Sequence, residues 1–122
     1  MTNQSTAAIP ELIKQCRTSV AKPWDDCNTL IKDQFDTPIA LIHDILMHML
    51  GRGGKRLRPL LVLLSAAACN PQQNARTTKF AVAIEFIHTA TLLHDDVVDH
   101  SSLRRGVDTA NEIWGGNASI LV

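Results

Sequence analysis

The sequence predicts an all-α protein of about five to six helices. Apolar residues recur at helical intervals of three and four positions across residues 39–50, and they do not alternate as in a strand. Five prolines stand near plausible helix starts, where a missing N–H group does no harm, and Gly51, Gly53 and Gly54 supply a break. A hydrophobic content of 45% is enough to build a core, which excludes a chain that is disordered throughout.

The prolines divide the chain into its main helices. We expect these helices at about residues 9–20, 24–35, 38–50, 58–69 and 72–100, near Pro10, Pro23, Pro38, Pro59 and Pro71. Residues 117–122 predict the opening of one more amphipathic helix, which the end of the chain cuts in mid-pattern. We interpret the chain as a single N-terminal fragment of a longer domain, with N-terminal helices in residues 1–37 and motif-bearing helices in residues 38–122.

The fifth predicted helix is apolar on every side, which is typical of an interior helix. It nevertheless carries several acidic residues and histidines: Glu85, His88, His94, Asp95, Asp96 and Asp99. Buried carboxylates without partners cost too much free energy to persist. We therefore expect cations to meet this helix.

Composition narrows the function classes. Twelve basic and twelve acidic residues give no net charge, so a general electrostatic nucleic-acid binder is excluded. Cys16, Cys27 and Cys69 form no C-x-x-C pair, so neither a disulfide framework nor a thiolate zinc site is indicated. The N-terminus does not resemble an export signal, and no segment reaches the roughly 18 apolar residues of a membrane span. We expect a cytoplasmic protein without a transmembrane segment.

Asp95 and Asp99 form a candidate metal site. Residues four apart on a helix point the same way, and Asp96 lies beside them at the rim. Such a carboxylate pair suits Mg²⁺, which keeps its waters and binds one or two carboxylates together with substrate phosphates. The alternative is a solvated acidic helix end or an intrahelical ion pair.

Two groups of basic residues are candidate phosphate ligands. Lys55, Arg56 and Arg58 follow a glycine-rich turn, where the backbone and a helix start favour an anion, although an ordinary solvated turn is also plausible. Arg104 and Arg105 could serve two different anions through their planar guanidinium groups, or they could neutralise the acidic helix end.

His88 lies two turns before Asp95 on nearly the same face, and it is either a ligand contact or a core histidine. His94 and Asp95 could form the H-D pair of a metal-dependent phosphohydrolase, but neighbouring helical residues diverge by about 100° and chelate one ion poorly. That alternative leaves the basic turn without a role.

Carboxylates, two cationic groups and an apolar helix together predict a pocket for a hydrocarbon diphosphate.

Three motifs in register carry a family resemblance: G-G-K-R-L-R-P at residues 53–59, E-F-I-H-T-A-T-L-L-H-D-D-V-V-D at residues 85–99, and S-S-L-R-R-G at residues 101–106. From about residue 39 to residue 122 the chain resembles the trans-polyprenyl diphosphate synthases, and most closely their bacterial long-chain, octaprenyl-type members. The resemblance implies an all-helical enzyme of the isoprenoid synthase fold that condenses isopentenyl diphosphate with an allylic diphosphate.

The resemblance also implies roles for residues. Asp95 and Asp99 would bind the Mg²⁺ that holds the allylic diphosphate, and Arg104 would contact the same substrate. The residues at the family's isopentenyl diphosphate positions are Lys55, Arg58, His88 and Arg105. Ala90 and Thr91, both small, would leave an open path for a long product.

Family members are two to three times longer and carry a second Asp-rich motif. We therefore expect this chain to be inactive alone and its full-length parent to be a homodimer. The other hypotheses are the phosphohydrolase and a non-catalytic helical interaction module.

Overall fold

The computed structural model describes residues 3–51, 54–72, 74–100, 102–104 and 106–121. Within these ranges the chain forms seven helices and one small hairpin, so the all-α prediction is confirmed. In chain order the elements are α1 (Asn3–Ser19), α2 (Ala21–Asp33), α3 (Ala40–Leu50), α4 (Leu57–Cys69), α5 (Ala75–Val98), β1 (Leu103–Arg104), β2 (Val107–Asp108), α6 (Ala110–Trp114) and α7 (Gly116–Leu121).

The first two helices begin earlier than the prolines predict. Pro10 lies inside α1, and Pro23 is the third residue of α2. A proline in the first turn of a helix removes an N–H group that has no helical partner, so Pro23 costs little at this position. Prolines therefore locate these two helices without fixing their first residues.

The start of α5 is set by a side-chain cap. Asn74 Oδ1 accepts hydrogen bonds from the backbone N–H groups of Arg76 at 3.0 Å and Thr77 at 3.3 Å. These bonds satisfy two of the donors that a helix N-terminus leaves without a partner. The helix therefore begins at Ala75 and not at the predicted position near residue 72.

The hairpin and α6 were not predicted. Strands β1 and β2 pair antiparallel, with Leu103 opposite Asp108 and Arg104 opposite Val107. Gly106 has a φ of 74°, the left-handed conformation that a tight hairpin turn requires. Two-residue strands are too short to show an alternating pattern, so nothing in the local sequence distinguishes them from a loop.

Helix α5 connects two apolar clusters. Its first half packs against α2 and α4, where Cys27, Ile31, Leu60 and Leu63 are buried. Its second half joins α3 and α6 through a smaller cluster of Ile45, Leu93 and Ala110. This arrangement places the middle of α5 between the clusters, beside the loop that leads into α4.

One side of α5 is exposed in the described structure, contrary to the expectation of a fully interior helix. Phe80 is 60% exposed and Ile87 is 61% exposed. The apolar circumference seen in the sequence therefore consists of a packed side and an uncovered side. None of the described helices combines the length and the apolar character needed to cross a bilayer.

Candidate functional site

A cavity of about 400 Å³ opens where α3, the loop before α4, the middle of α5 and the hairpin meet. Its walls include most of the diphosphate contacts predicted from sequence. The residues of that set that line it are Lys55, Arg58, His88 and Arg104, and Asp96 lines it as well. They come from three separate segments of the chain, so the fold brings together residues that lie up to 49 positions apart, from Lys55 to Arg104.

The basic side of the cavity is built by residues 54–58. Lys55 and Arg58 have exposed side chains, and Pro59 behind them is buried. Helix α4 begins at Leu57, so Lys55 precedes its first turn and Arg58 lies within it. The positive end of the helix dipole adds to their charges there, and the combination favours an anion.

Asp96 and Arg104, which also line the cavity, form an ion pair. Arg104 Nε donates to both carboxylate oxygens at 3.1 Å, and Nη2 donates to Oδ1 at 2.5 Å. Asp96 is only 1% exposed, which differs from the rim position expected from sequence. The reason is helical spacing, because Asp96 follows the cavity-facing Leu92 by four residues and the buried Leu93 by three.

The ion pair fixes the charge of Arg104. The hydrogen bonds that Arg104 donates to Asp96 raise the pKa of Arg104 above its ordinary value. The negative charges of Asp96, Asp95 and Asp99 raise it further, and partial burial lowers it. Arg104 therefore stays cationic at any physiological pH. Because Asp96 is already engaged by Arg104, it has less capacity than its neighbours to bind a metal ion.

Asp95 and Asp99 are both exposed and do not line the cavity, although they lie on nearly the same face of α5 as the cavity-lining His88 and Leu92, seven residues before each of them. The backbone N–H of Asp99 donates to the carbonyl of Asp95 at 2.8 Å, which closes the last turn of the helix. Within the described residues, no three His, Cys, Asp or Glu side chains converge on one point. Two accessible carboxylates fit Mg²⁺, which takes its other ligands from water and phosphate.

The residues predicted to control product length lie outside the cavity lining. Thr91 is exposed and its hydroxyl donates to the carbonyl of His88 at 2.6 Å, while Ala90 is half-buried. Thr91 shares an i, i+4 stripe with Ile87, Asp95 and Asp99. Their role in setting product length stays a prediction. Arg105 and Gly53 lie outside the described residues.

His48 also lines the cavity, although no sequence motif points to it. Its Nε2–H donates to the carbonyl of Asp108 at 2.7 Å, and its ring meets Trp114 edge-on with 5.2 Å between centroids. His48 thereby joins α3 to the hairpin that carries Arg104. The two partners of this hydrogen bond are 60 positions apart, and no local pattern signals the pairing.

Cys27 is buried behind the basic loop. Burial raises the pKa of this thiol to about 11, an effect that the charge of Glu85 reinforces and that of Arg56 opposes. A thiol with such a pKa is almost entirely protonated at neutral pH and is a poor nucleophile. Cys27 therefore acts as a small core residue.

Comparison with known proteins gives consistent matches. The family model described as polyprenyl synthetase matches residues 39–122. The octaprenyl diphosphate synthase of Escherichia coli is 48% identical over 95 residues, which cover 78% of this chain and 29% of that protein. The all-trans-nonaprenyl-diphosphate synthase (geranyl-diphosphate specific) of Rhodobacter capsulatus is 42% identical over 103 residues, which cover 84% of this chain and 32% of that protein.

A solved structure extends the likeness to the fold. The crystal structure of polyprenyl synthase from Caulobacter crescentus, complexed with calcium and isoprenyl diphosphate, superposes with a TM-score of 0.79 and 44% identity. The match covers 89% of this chain and 33% of that one. The chain therefore spans about a third of the length of the proteins it matches.

Proposed function

The chain belongs to the polyprenyl synthetase family, and from that premise we propose that it forms one wall of the active site of a long-chain trans-polyprenyl diphosphate synthase. Such an enzyme condenses isopentenyl diphosphate with an allylic diphosphate. The relatives named above are octaprenyl and nonaprenyl diphosphate synthases, which supports a long-chain product. The Caulobacter relative was crystallised with calcium and isoprenyl diphosphate, which supports a diphosphate and a divalent cation as ligands.

The observation that carries the proposal is the cavity itself. Lys55, Arg58 and His88 line it together with Arg104, so cationic and hydrogen-bonding groups from three segments face one space. A diphosphate needs several charge-assisted hydrogen bonds at once, and separate basic side chains supply them. An ordinary solvated turn explains the basic loop alone, but it does not explain why the loop, α5 and the hairpin converge.

In the proposed mechanism, the two substrates bind to different groups of residues. Lys55, Arg58, His88 and Arg105 bind the diphosphate of isopentenyl diphosphate. Asp95 and Asp99 hold Mg²⁺, which when bound neutralises the negative charge of the allylic diphosphate.

Arg104 acts on the leaving group. When the allylic C–O bond breaks, negative charge develops on the departing diphosphate, and a preorganised guanidinium stabilises it where it forms. The double bond of isopentenyl diphosphate then attacks the allylic carbocation, and the proton lost passes to the released diphosphate. Asp96 holds Arg104 in position for this step. No protein nucleophile is required.

Further parts of the proposal concern the whole protein. Residues 1–37 are N-terminal helices and residues 38–122 bear the motifs. The active protein is a homodimer, and residues 1–122 alone lack condensation activity because the chain spans only about a third of its relatives.

Calorimetric titration of this chain tests the proposal with two ligands. The first is isopentenyl diphosphate, and the second is a thio analogue of geranyl diphosphate that does not lose its diphosphate group. We expect the first to bind more weakly to Lys55→Ala and unchanged to Lys79→Ala, an exposed lysine of α5 outside the cavity. The second should require Mg²⁺ and should not bind to Asp95→Ala.

Three results would contradict the proposal in different ways. Binding of neither ligand would favour the interaction module. A transition-metal ion bound through histidine without diphosphate would favour the phosphohydrolase. If Lys55→Ala weakened binding of the allylic analogue alone, Lys55 would belong to the allylic site and the assignment of the two diphosphate sites would be reversed.

A further inference from the structure

The loop that carries Lys55 contains a residue in an unusual backbone conformation. Arg56 has φ 47° and ψ 48°, in the left-handed region that residues other than glycine rarely adopt. Such a conformation persists only where surrounding contacts hold it, and it is often found at functional sites. The contacts of Arg56 therefore decide how Lys55 and Arg58 are presented.

The guanidinium of Arg56 is turned toward the body of the protein. Nη1 donates to Asn28 Oδ1 on α2, and Nη2 donates to the carbonyl of Leu50 at the end of α3 at 3.1 Å. Asn28 is itself oriented, because its Nδ2 donates to the carbonyl of Trp24 at 2.9 Å and leaves Oδ1 to face Arg56. Arg56 thus ties the start of α4 to both α2 and α3.

A second arginine holds the same loop from α1. Arg17 Nη2 donates to the backbone carbonyl of Lys55 at 2.7 Å. The guanidinium carbon of Arg17 also lies 5.0 Å from the centre of the Trp24 ring, within the range of a cation–π contact. Trp24 and Asn28 are one turn apart on α2, so one patch of this helix supports both arginines.

We propose that Arg17, Asn28 and Arg56 are positioning residues, which hold the loop so that Lys55 and Arg58 bind the diphosphate of the substrate. The proposal rests on the proposed function of the cavity. All three basic residues line the cavity, but the proposal divides them into two sets: Lys55 and Arg58 have exposed side chains, whereas Arg56 is half-buried and its guanidinium is bonded to α2 and α3. It also assigns a role to α1 and α2, which precede the residues 39–122 matched by the family model.

The physical basis is preorganisation. A loop that is ordered before the ligand arrives does not lose that conformational freedom on binding, so its cations bind more tightly. Loss of the Asn28 acceptor should therefore weaken diphosphate binding without removing any charge from the cavity. By contrast, substituting a residue that only contacts the diphosphate would weaken binding and leave the order of the ligand-free loop unchanged.

The test combines amide hydrogen exchange of the ligand-free chain with calorimetric titration of isopentenyl diphosphate. We expect Asn28→Ala to accelerate exchange at residues 54–57 and to weaken binding by about tenfold, the ratio expected for one lost hydrogen bond to a charged group. Arg56→Lys keeps the charge but cannot bridge both acceptors, and it should act in the same direction. Thr29→Ala, an exposed neighbour on α2, is the matched control and should change neither quantity.

Lys55→Ala separates positioning from contact, because it should weaken binding and leave exchange of the loop unchanged. Unchanged exchange in both Asn28→Ala and Arg56→Lys overturns the inference, as does faster exchange with unaltered affinity. If the wild-type chain does not bind isopentenyl diphosphate, the proposed function is overturned and the inference falls with it. Thermal unfolding identifies a variant that is unfolded, in which case the other variant decides.

Discussion

Neutralising Asp96 tests whether the Asp96–Arg104 ion pair stabilises the fold at the cavity. Asp96→Asn keeps the size of the side chain but replaces one acceptor oxygen by an NH₂ group. That group would face the donors of Arg104, which now contribute three hydrogen bonds of 2.5–3.1 Å. Asp95→Asn makes the same chemical change at the adjacent, exposed position and is the matched control.

The expected loss of stability follows from the burial of the pair. Removing a partner from a hydrogen bond to a charged group costs about 1.5–3 kcal/mol, and breaking a fully buried ion pair costs about 3–5 kcal/mol. The Asp96 side chain is buried, but the Arg104 side chain is 36% exposed, so water can solvate the guanidinium that is left behind. The lower range applies, and we expect a loss of about 2 kcal/mol for Asp96→Asn and less than about 0.5 kcal/mol for Asp95→Asn.

Urea unfolding followed by circular dichroism measures both variants. With a urea slope of ~1–2 kcal/mol per molar, Asp96→Asn should lower the unfolding midpoint by about 1–2 M. A double-mutant cycle with Arg104→Met isolates the pair, since the second substitution should add little once the first has been made. Equal and small effects of Asp96→Asn and Asp95→Asn would refute the reasoning.

Three further predictions concern other parts of the chain. Because burial raises the pKa of Cys27 from 9.0 to about 11, the free energy of unfolding should fall as pH rises through this window, by at most about 1.4 kcal/mol per pH unit. Urea titrations at pH 8–11 measure this fall, and it should be smaller in Cys27→Ala by the contribution of the thiol. An identical dependence on pH in both proteins would contradict the raised pKa of Cys27. Asn74→Ala should lower the free energy of unfolding by about 1 kcal/mol, while Asn74→Ser, which retains the cap, should cost less; equal losses would argue against capping. In the complete synthase that we propose, Ala90→Phe should shorten the prenyl products, and an unchanged product distribution by chromatography would show that this side of α5 does not line the path of the tail.

Helical periodicity was sufficient to predict the fold class and the approximate extent of α2 to α5. Those helices are encoded by residues three and four positions apart, so a local pattern contains the information. The same pattern did not reveal which side of α5 is covered. Phe80 and Ile87 look like core residues in sequence, and only the placement of the neighbouring helices determines that they are exposed.

The motifs predicted the chemical types of the side chains at the cavity, because each motif keeps its charged residues within a short segment, and the fold decided that the three segments meet. Lys55, Arg58, His88 and Arg104 do line one space, although their roles toward substrate stay predictions. The sequence alone placed Asp96 at the rim beside Asp95. The tertiary structure buries it against Arg104.

Contacts between distant residues were decided by the tertiary structure alone. His48 meets Asp108 across 60 positions, Arg17 meets Lys55 across 38, and Arg56 meets Asn28 across 28. A helix forms from hydrogen bonds four residues apart and leaves a periodic trace in the sequence, whereas a bond between two helices depends on how they pack. The sequence by itself therefore determined the helices and the chemical character of the site, and packing determined which residues hold that site in place.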